Sequence, residues 1–281
     1  VATNVRFDIT KPTFSEVFPI ASSRINTQTL RWTVDEKLKS GKYTWIHMGG
    51  DPDPNAPHEL ALPEDLLGAG QNNNTKLQPL NLILNAMYRI TLEGTDLAGN
   101  TGKKFIMSVV YDNVPPVLKL SYPESNTAVN HLDIAYALDE QLENAQIIYT
   151  RVGGDPDPNS PVAVELQGSE LESSFETQNT TSTLPVLNDG SVYNIQFKGV
   201  DLATNSSESN IIENIKYDVT RPKITIFYPS GNSFFMGSDI NIDISEDLKE
   251  GAMIWSRTGG LIDYVTKHDI PLYDQYLKKG S

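Results

Sequence analysis

Along Val117-Leu118-Lys119-Leu120-Ser121-Tyr122 apolar and polar side chains alternate, and Pro123 ends the run. Leu132–Leu138 alternates again, followed by Ala145–Val152, Val162–Leu166 and a Thr/Ser/Asn-rich stretch over Phe175–Ser182. Val192–Val200 and Ile211–Tyr217 close the series. A period of two, with β-branched and aromatic residues between Gly, Pro, Asn and Asp, is the pattern of strands with one buried face. About seven short strands in roughly 105 residues, with no helical period among them, predict a two-sheet sandwich. Leu184–Tyr193 places a turn just before a tyrosine on the sixth strand, the setting of a tyrosine corner, and Tyr88 holds the same place earlier in the chain. Ile90, Leu92, Ile195 and Phe197 then face the core, and Trp32 and Trp45, in strand-like segments, are expected to be buried.

The pattern recurs because the sequence recurs. Gly49-Gly50-Asp51-Pro52-Asp53-Pro54-Asn55 returns unchanged as Gly153-Gly154-Asp155-Pro156-Asp157-Pro158-Asn159, an offset of 104 from 49 to 153. Asp96-Leu97-Ala98-Gly99-Asn100 returns as Asp201-Leu202-Ala203-Thr204-Asn205. Phe7-Asp8 with Pro12 is matched by Tyr111-Asp112 with Pro116, and by Tyr217-Asp218 with Pro222. A repeat of this length is the size of an independent domain, so each copy should own a core. The chain divides into a terminal strand of a preceding repeat over 1–10, a full unit over 11–114, a second over 115–220 and a partial third over 221–281. Val1–Asp8 matches only the end of a unit, and the third copy is matched only through its first half. The chain therefore reads as a piece of a longer polypeptide.

Composition narrows the function. Lys and Arg total 22 against 36 Asp and Glu, a formal charge of −14. Phosphate backbones are bound by excess Lys and Arg, so a nucleic-acid partner is not expected. Absence of cysteine removes disulfides, thiolate metal sites and a cysteine nucleophile. No apolar run of ~18 residues is present to span a membrane, and no membrane contact by this segment is expected. His47, His58, His131 and His268 fall at unrelated positions in their units, and no nucleophile elbow, phosphate loop or paired-His motif occurs. The expectation is that the chain is not an enzyme.

A strand, then Asp-Leu-Ala-Gly-Asn, then a last strand running into Tyr-Asp-x-x-x-Pro resembles the bacterial immunoglobulin-like repeats of large surface proteins and adhesins. Ile244-Ser245-Glu246-Asp247-Leu248 followed by Ile254–Gly260 is similar to the same group, and the resemblance covers essentially the whole chain. Thr204 departs from it where glycine is usual, and the third copy has Leu261-Ile262-Asp263-Tyr264 in place of the Asp-Pro-Asp-Pro-Asn loop. The resemblance implies all-β, tandem immunoglobulin-like β-sandwich domains in an elongated rod. It implies an extracellular or cell-surface setting, with neighbouring repeats of the same chain as partners. Such repeats commonly serve as spacers. At ~40 Å per unit, two and a half units would reach on the order of 100 Å.

In that topology the loop after the second strand and the loop between the last two strands share one pole, facing the incoming linker. Asp112, Asp139, Glu140 and Asp201 then meet at one junction, and Asp8, Asp35, Glu36 and Asp96 at the preceding one. The Gly-Gly-Asp-Pro-Asp-Pro-Asn loop is expected at the opposite pole. It would bring Asp51, Asp53 and Asn55 toward the junction marked by Asp112, and Asp155, Asp157 and Asn159 toward that marked by Asp218. Crowded carboxylates repel unless compensated, and Ca²⁺ takes six to eight oxygen ligands of this type. The sharp reading is calcium at the junctions. The plainer one is that Asp and Asn bond their own backbone in proline-bent turns, with Asp96 and Asp201 capping the last hairpin. The alternative function is a carbohydrate- or protein-binding module acting through variable loops such as Glu64–Asn81, with a glycan or surface protein as ligand.

Overall fold

The alternation over Val192–Val200 becomes an 11-residue strand in which buried and half-buried positions strictly alternate from Ser191 to Asp201. The computed structural model describes residues 6–75, 79–178, 181–234, 236–237, 239–262, 264–265 and 267–280. The chain divides into two compact units, Val1–Asp218 and Val219–Ser281.

The first unit holds two copies of one topology. The first copy has β1 (Phe14–Phe18), β2 (Arg24–Ile25), β3 (Arg31–Val34), β4 (Leu38–Gly50), β5 (His58–Ala61), β6 (Gly70–Asn73), β7 (Ala86–Asp96) and β8 (Thr101–Tyr111). One sheet runs β2-β8-β7-β4-β5 and the other β1-β3-β6. The second copy has β9 (Leu118–Tyr122), β10 (Ala128–Val129), β11 (Ala135–Leu138), β12 (Leu142–Gly154), β13 (Val162–Glu165), β14 (Ser174–Gln178), β15 (Ser191–Asp201) and β16 (Ser206–Tyr217). Its sheets run β10-β16-β15-β12-β13 and β14-β11-β9, the same order eight strands on. The third, sixth and seventh principal strands share one sheet, and the first, second and fifth the other, as in immunoglobulin-type sandwiches. The fold is an all-β sandwich.

Each copy has its own core. Trp32, Tyr43, Trp45, Tyr88, Ile90 and Leu92 are buried in the first, with Trp45 edge-on to Tyr88 at 5.7 Å between ring centroids. Tyr136, Ile147, Tyr149, Tyr193, Ile195 and Phe197 fill the second, where Tyr136 meets Phe197 edge-on at 5.2 Å. The inward set expected from the sequence is the buried set.

Three details differ from the sequence pattern. The strands are not uniformly short, since β4, β7, β8, β12, β15 and β16 each run 11 to 13 residues. Each copy has a two-residue strand, β2 or β10, pairing parallel with the last strand, too short for any periodicity to reveal. The segment Glu64–Asn81, read as a variable loop, contains β6, the fifth principal strand. Its apolar signal is missing because its half-buried positions are Gly70 and Asn72, and the buried residue that follows it is Asn74. That side chain accepts from the Leu30 N–H at 2.7 Å and donates to the Gln28 carbonyl at 2.8 Å.

Residues 6–10 carry no strand, and 1–5 of the expected terminal strand lie outside the described residues. In the second unit β17 (Ile224–Tyr228) pairs antiparallel with β18 (Asn241–Ile244), and β19 (Ala252–Ser256) with β20 (Lys267–Pro271). Asp263, within the tetrapeptide that replaces the acidic loop, also lies outside the described residues.

Candidate metal centre

The linker after β8 begins at Asp112. Its N–H donates to the Ile25 carbonyl at 2.8 Å, extending the β2–β8 pairing by one bond. The Arg24 guanidinium stands 3.7 Å from its Oδ2. From the other side, the Asn205 amide donates to the Asp112 carbonyl at 3.0 Å and to that of Val114 at 3.3 Å. The linker is thus held by side chains or backbone of both copies.

Asn205 is itself positioned by Asp201, the last residue of β15. Oδ1 of Asp201 accepts from the N–H groups of Ala203 and Asn205, both at 2.8 Å, and Oδ2 from the Asn205 amide at 2.8 Å. In the first copy Asp96 does the same through the Gly99 and Asn100 N–H groups, and the Asn100 amide reaches the Asp8 carbonyl at 3.1 Å. The hairpin-capping reading of Asp96 and Asp201 is therefore correct. Thr204 occupies the left-handed region at φ 72°, where the first copy has Gly99 at 98°.

Capping does not exhaust these carboxylates. One oxygen each of Asp112, Glu140 and Asp201 lies within 4.8 Å of the other two, and Asp8, Glu36 and Asp96 form an equivalent group. Asp112, Asp96 and Asp201 are buried, and Glu36 and Glu140 half-buried. Burial, reinforced by Asp112, Asp201 and Asp139 and partly offset by Arg24, pushes the Glu140 carboxyl up to about 7. Glu36 is raised for the same reasons, by burial first and then by Asp96, Asp8 and Asp35. Asp96 is lowered: burial raises it, but the bonds from Asn100 and Gly99 outweigh that. Each group is thus a set of hard oxygen donors from three chain segments, its negative charge only partly offset by arginine, which can hold a metal ion.

Asp139 and Asp35 stand beside these groups but serve another purpose. Asp139 accepts from the Val117 N–H at 2.8 Å, and Asp35 from the N–H and hydroxyl of Thr13 at 2.8 and 2.7 Å. Both fasten the start of the first strand, and the bonds from Thr13 lower the Asp35 pKa. In the third copy Ser245 plays this part, accepting from the Lys223 N–H at 2.8 Å.

The duplicated loop lies elsewhere in the geometry. Asp53 Oδ2 accepts from the Tyr88 hydroxyl at 2.6 Å, and Asp157 Oδ2 from that of Tyr193 at 2.6 Å. The same hydroxyls accept from the N–H groups of Ile83 and Asn188, at 3.0 and 2.9 Å, completing two tyrosine corners. Asn55 and Asn159 contribute backbone N–H groups to Asp53 and Asp157, at 3.0 and 2.9 Å, rather than side-chain oxygens to a cation. Asp51 and Asp155 are exposed. Among the described residues none of these four aspartates falls in the acidic groups at the linkers. For Asp53 and Asp157 the physical reason is that a buried carboxylate is satisfied within its own copy by a hydroxyl and a turn.

Several side chains here act in ways that the sequence pattern does not announce. Arg24 has no counterpart in the second copy, where Ala128 stands. Asn100 and Asn205 were visible only as turn residues. His58 Nε2 lies 2.6 Å from Asp53 Oδ2, and its counterpart is Val162. His47 donates to the Asp51 carbonyl at 3.0 Å, as Arg151 does to that of Asp155 at 2.7 Å and Arg257 to that of Leu261 at 2.8 Å. The usable signal was retention of each Asp–Tyr pair across both copies.

The class defined is an all-β chain of similar sandwiches with acidic linkers. No protein-family model and no curated protein matches it. Solved structures similar to it include one from work on host cell surface retention of a 1.5-MDa bacterial ice-binding adhesin, at 11% identity over 94% of this chain and 88% of that one, with a TM-score of 0.31. Another is dimeric latent PorU from Porphyromonas gingivalis, at 11% identity over 95% of this chain and 30% of that one, with a TM-score of 0.26. Superpositions this loose decide nothing about function.

Proposed function

We propose that this chain is a non-catalytic structural segment of an extracellular, bacterial repeat protein, a spacer whose junctions are stiffened by calcium. The observation that carries the reading is the double grip on Asp112. One copy holds its N–H and carboxylate, the other holds its carbonyl, and the carboxylate of Asp112 adjoins those of Glu140 and Asp201. A linker needs no such grip if its only task is to join two independent domains. Held in this way, it transmits orientation from one sandwich to the next.

On this reading Asp112, Glu140 and Asp201 hold one ion and Asp8, Glu36 and Asp96 another. Each ion replaces mutual repulsion with shared attraction, and water and linker carbonyls complete its shell. Carboxylates that recur in each copy as caps and linker contacts serve geometry rather than turnover. Calorimetric titration with CaCl₂, paired with melting in calcium and in chelator, tests the proposal. Heat of binding and a higher Tm in calcium support it, and identical traces in both conditions overturn it. Small-angle scattering tests the spacer role, since a compact, globular profile contradicts an extended array.

A further inference from the structure

The outer face of the β1-β3-β6 sheet in the first copy carries a groove that the spacer role does not use. The cavity measures about 370 Å³, within the range of small-ligand sites, and opens to solvent. Glu16 and Phe18 of β1, Arg31 and Thr33 of β3, and Gln71 and Asn73 of β6 line it. The register pairs Phe18 with Arg31 and Arg31 with Asn73 in one row, and Thr33 with Gln71 in the next. Side chains in such rows recur at the strand spacing of ~4.8 Å, a regular lattice of polar groups.

Their state is that of a reader rather than of a satisfied surface. The Arg31 guanidinium lies 4.7 Å from the centre of the Phe18 ring, which holds the planar fork in place. Among the described residues no carboxylate pairs with that guanidinium and nothing bonds the Gln71 amide. Asn73 turns its oxygen to the Thr75 hydroxyl at 2.6 Å, which leaves its NH₂ for the groove. A break in the β1–β3 register between Ser15 and Phe18 puts Glu16 at φ 48°, and the Thr33 hydroxyl fixes its carboxylate at 2.7 Å. Bulges of this kind re-aim side chains.

The second copy shows that the fold does not require any of this. At the offset of 104, Leu120, Ala135 and Ala137 stand where the first copy has Glu16, Arg31 and Thr33. The polar lattice is private to one sandwich, whereas the core, corners and linker contacts are shared by both.

We infer that this groove binds a neutral oligosaccharide. Guanidinium, amide and carboxylate side by side offer donors and acceptors within reach of one another, the complement of vicinal hydroxyls that each give and accept a bond. An anionic ligand would meet Glu16 and the overall charge of −14, and a cationic one would meet Arg31. A polyol meets neither obstacle. The open groove suits a few sugar units of a longer chain rather than an enclosed monosaccharide.

Amide-resolved NMR titration of the whole chain, in chelator so that cation binding plays no part, tests this with cellotetraose, mannotetraose, galactotetraose and tetragalacturonate. The expected result is that at least one neutral tetrasaccharide shifts amides of β1, β3 and β6, and that Arg31→Ala and Gln71→Ala each weaken it about tenfold without lowering Tm. Lys198→Ala, on the second copy, leaves it unchanged. Silence from all three neutral sugars, shifts mapping elsewhere, binding of tetragalacturonate alone, or full binding by Arg31→Ala overturns the proposal.

Discussion

The Tyr88 hydroxyl donates a 2.6 Å hydrogen bond to Oδ2 of Asp53, a carboxylate whose side chain is 0% exposed. The pairing ties the turn before β7 to the duplicated loop after β4, and Tyr193 with Asp157 repeats it in the second copy. Tyr88→Phe removes one bond to a buried charge and leaves the Ile83 N–H without its acceptor. The expected loss is about 1.5–3 kcal/mol of unfolding free energy, read by urea denaturation. Tyr193→Phe should cost a similar amount in the second sandwich. Loss of under about 0.5 kcal/mol for both would mean that the loop is held by its prolines and backbone alone.

The same carboxylate sets a pH dependence. Burial alone would raise Asp53, but the bonds from Tyr88 and His58 outweigh it and hold it below its ordinary value of 3.8. A depressed folded pKa means that the unfolded chain binds the proton more readily. The Asp53 contribution is therefore complete above about pH 3.8 and lost as pH falls through the folded value. Asp53→Asn should flatten the acid limb of the stability curve relative to the parent. An unchanged acid limb would remove Asp53 from the account.

Thr204 gives a prediction in the opposite direction. A β-branched residue at φ 72° sits where a Cβ crowds the following carbonyl, and the Thr204 side chain is exposed, so its own packing does not offset the strain. Strain of order 1–3 kcal/mol is relieved by Thr204→Gly, against ~0.4–1 kcal/mol of added unfolded-state freedom. The net expectation is stabilisation by roughly 1 kcal/mol. Gly99→Ala in the first copy, at φ 98°, should destabilise. A lower Tm for Thr204→Gly would show that the hydroxyl matters to the hairpin.

Much of this was legible in the chain because sandwich strands bury alternate residues, and Ile195 and Phe197 announce that by their spacing. The tyrosine corners were legible too, since a turn preceding Tyr88 and Tyr193 leaves the hydroxyls few other partners. What failed was distance. Asp53 is written in a loop that resembles the start of a cation site, and nothing local says that Tyr88, far along the chain, will take its oxygen. Likewise β6 is Gly-Gln-Asn-Asn, and Asn74 just beyond it satisfies backbone groups instead of filling apolar space. A hydrophobic pattern cannot report a strand whose inward residue is held by hydrogen bonds.

Glu140 is the residue through which the junction can be probed without touching the caps. Its raised pKa, set first by burial and then by Asp112 and Asp201, marks it as repelled in the absence of a cation. Glu140→Gln should stabilise the calcium-free protein at pH 8 by up to ~1 kcal/mol, discounted for its partial exposure. It should also abolish the calcium-dependent rise in Tm at that linker. Wild-type protein at a hundredfold excess of calcium over Kd should gain about 2.7 kcal/mol from one site. Destabilisation of the calcium-free variant would show that the carboxylate is compensated within the protein, and would count against the ion.

Arg24 supplies the complementary test, because it is the cation already present. It stands 3.7 Å from Asp112 Oδ2 and is 41% exposed, while Asp112 is 6% exposed. An ion pair of that geometry contributes little by itself, about 0–1 kcal/mol. Its larger effect is on the field at the linker, where a fixed positive charge opposes a divalent ion bound by the same carboxylates. Arg24→Ala should leave the Tm in chelator within about 3 °C of the parent, since ~1 kcal/mol at most is removed from a large unit. Calcium affinity at this junction should rise several-fold and become more sensitive to added NaCl, since the attraction that salt screens is larger once the opposing charge is removed. The group at Asp8, Glu36 and Asp96 has Arg6 rather than Arg24 within electrostatic reach and should bind as before, an internal control within one titration. Weaker calcium binding in Arg24→Ala would mean that the guanidinium organises Asp112 for the ion rather than competing with it.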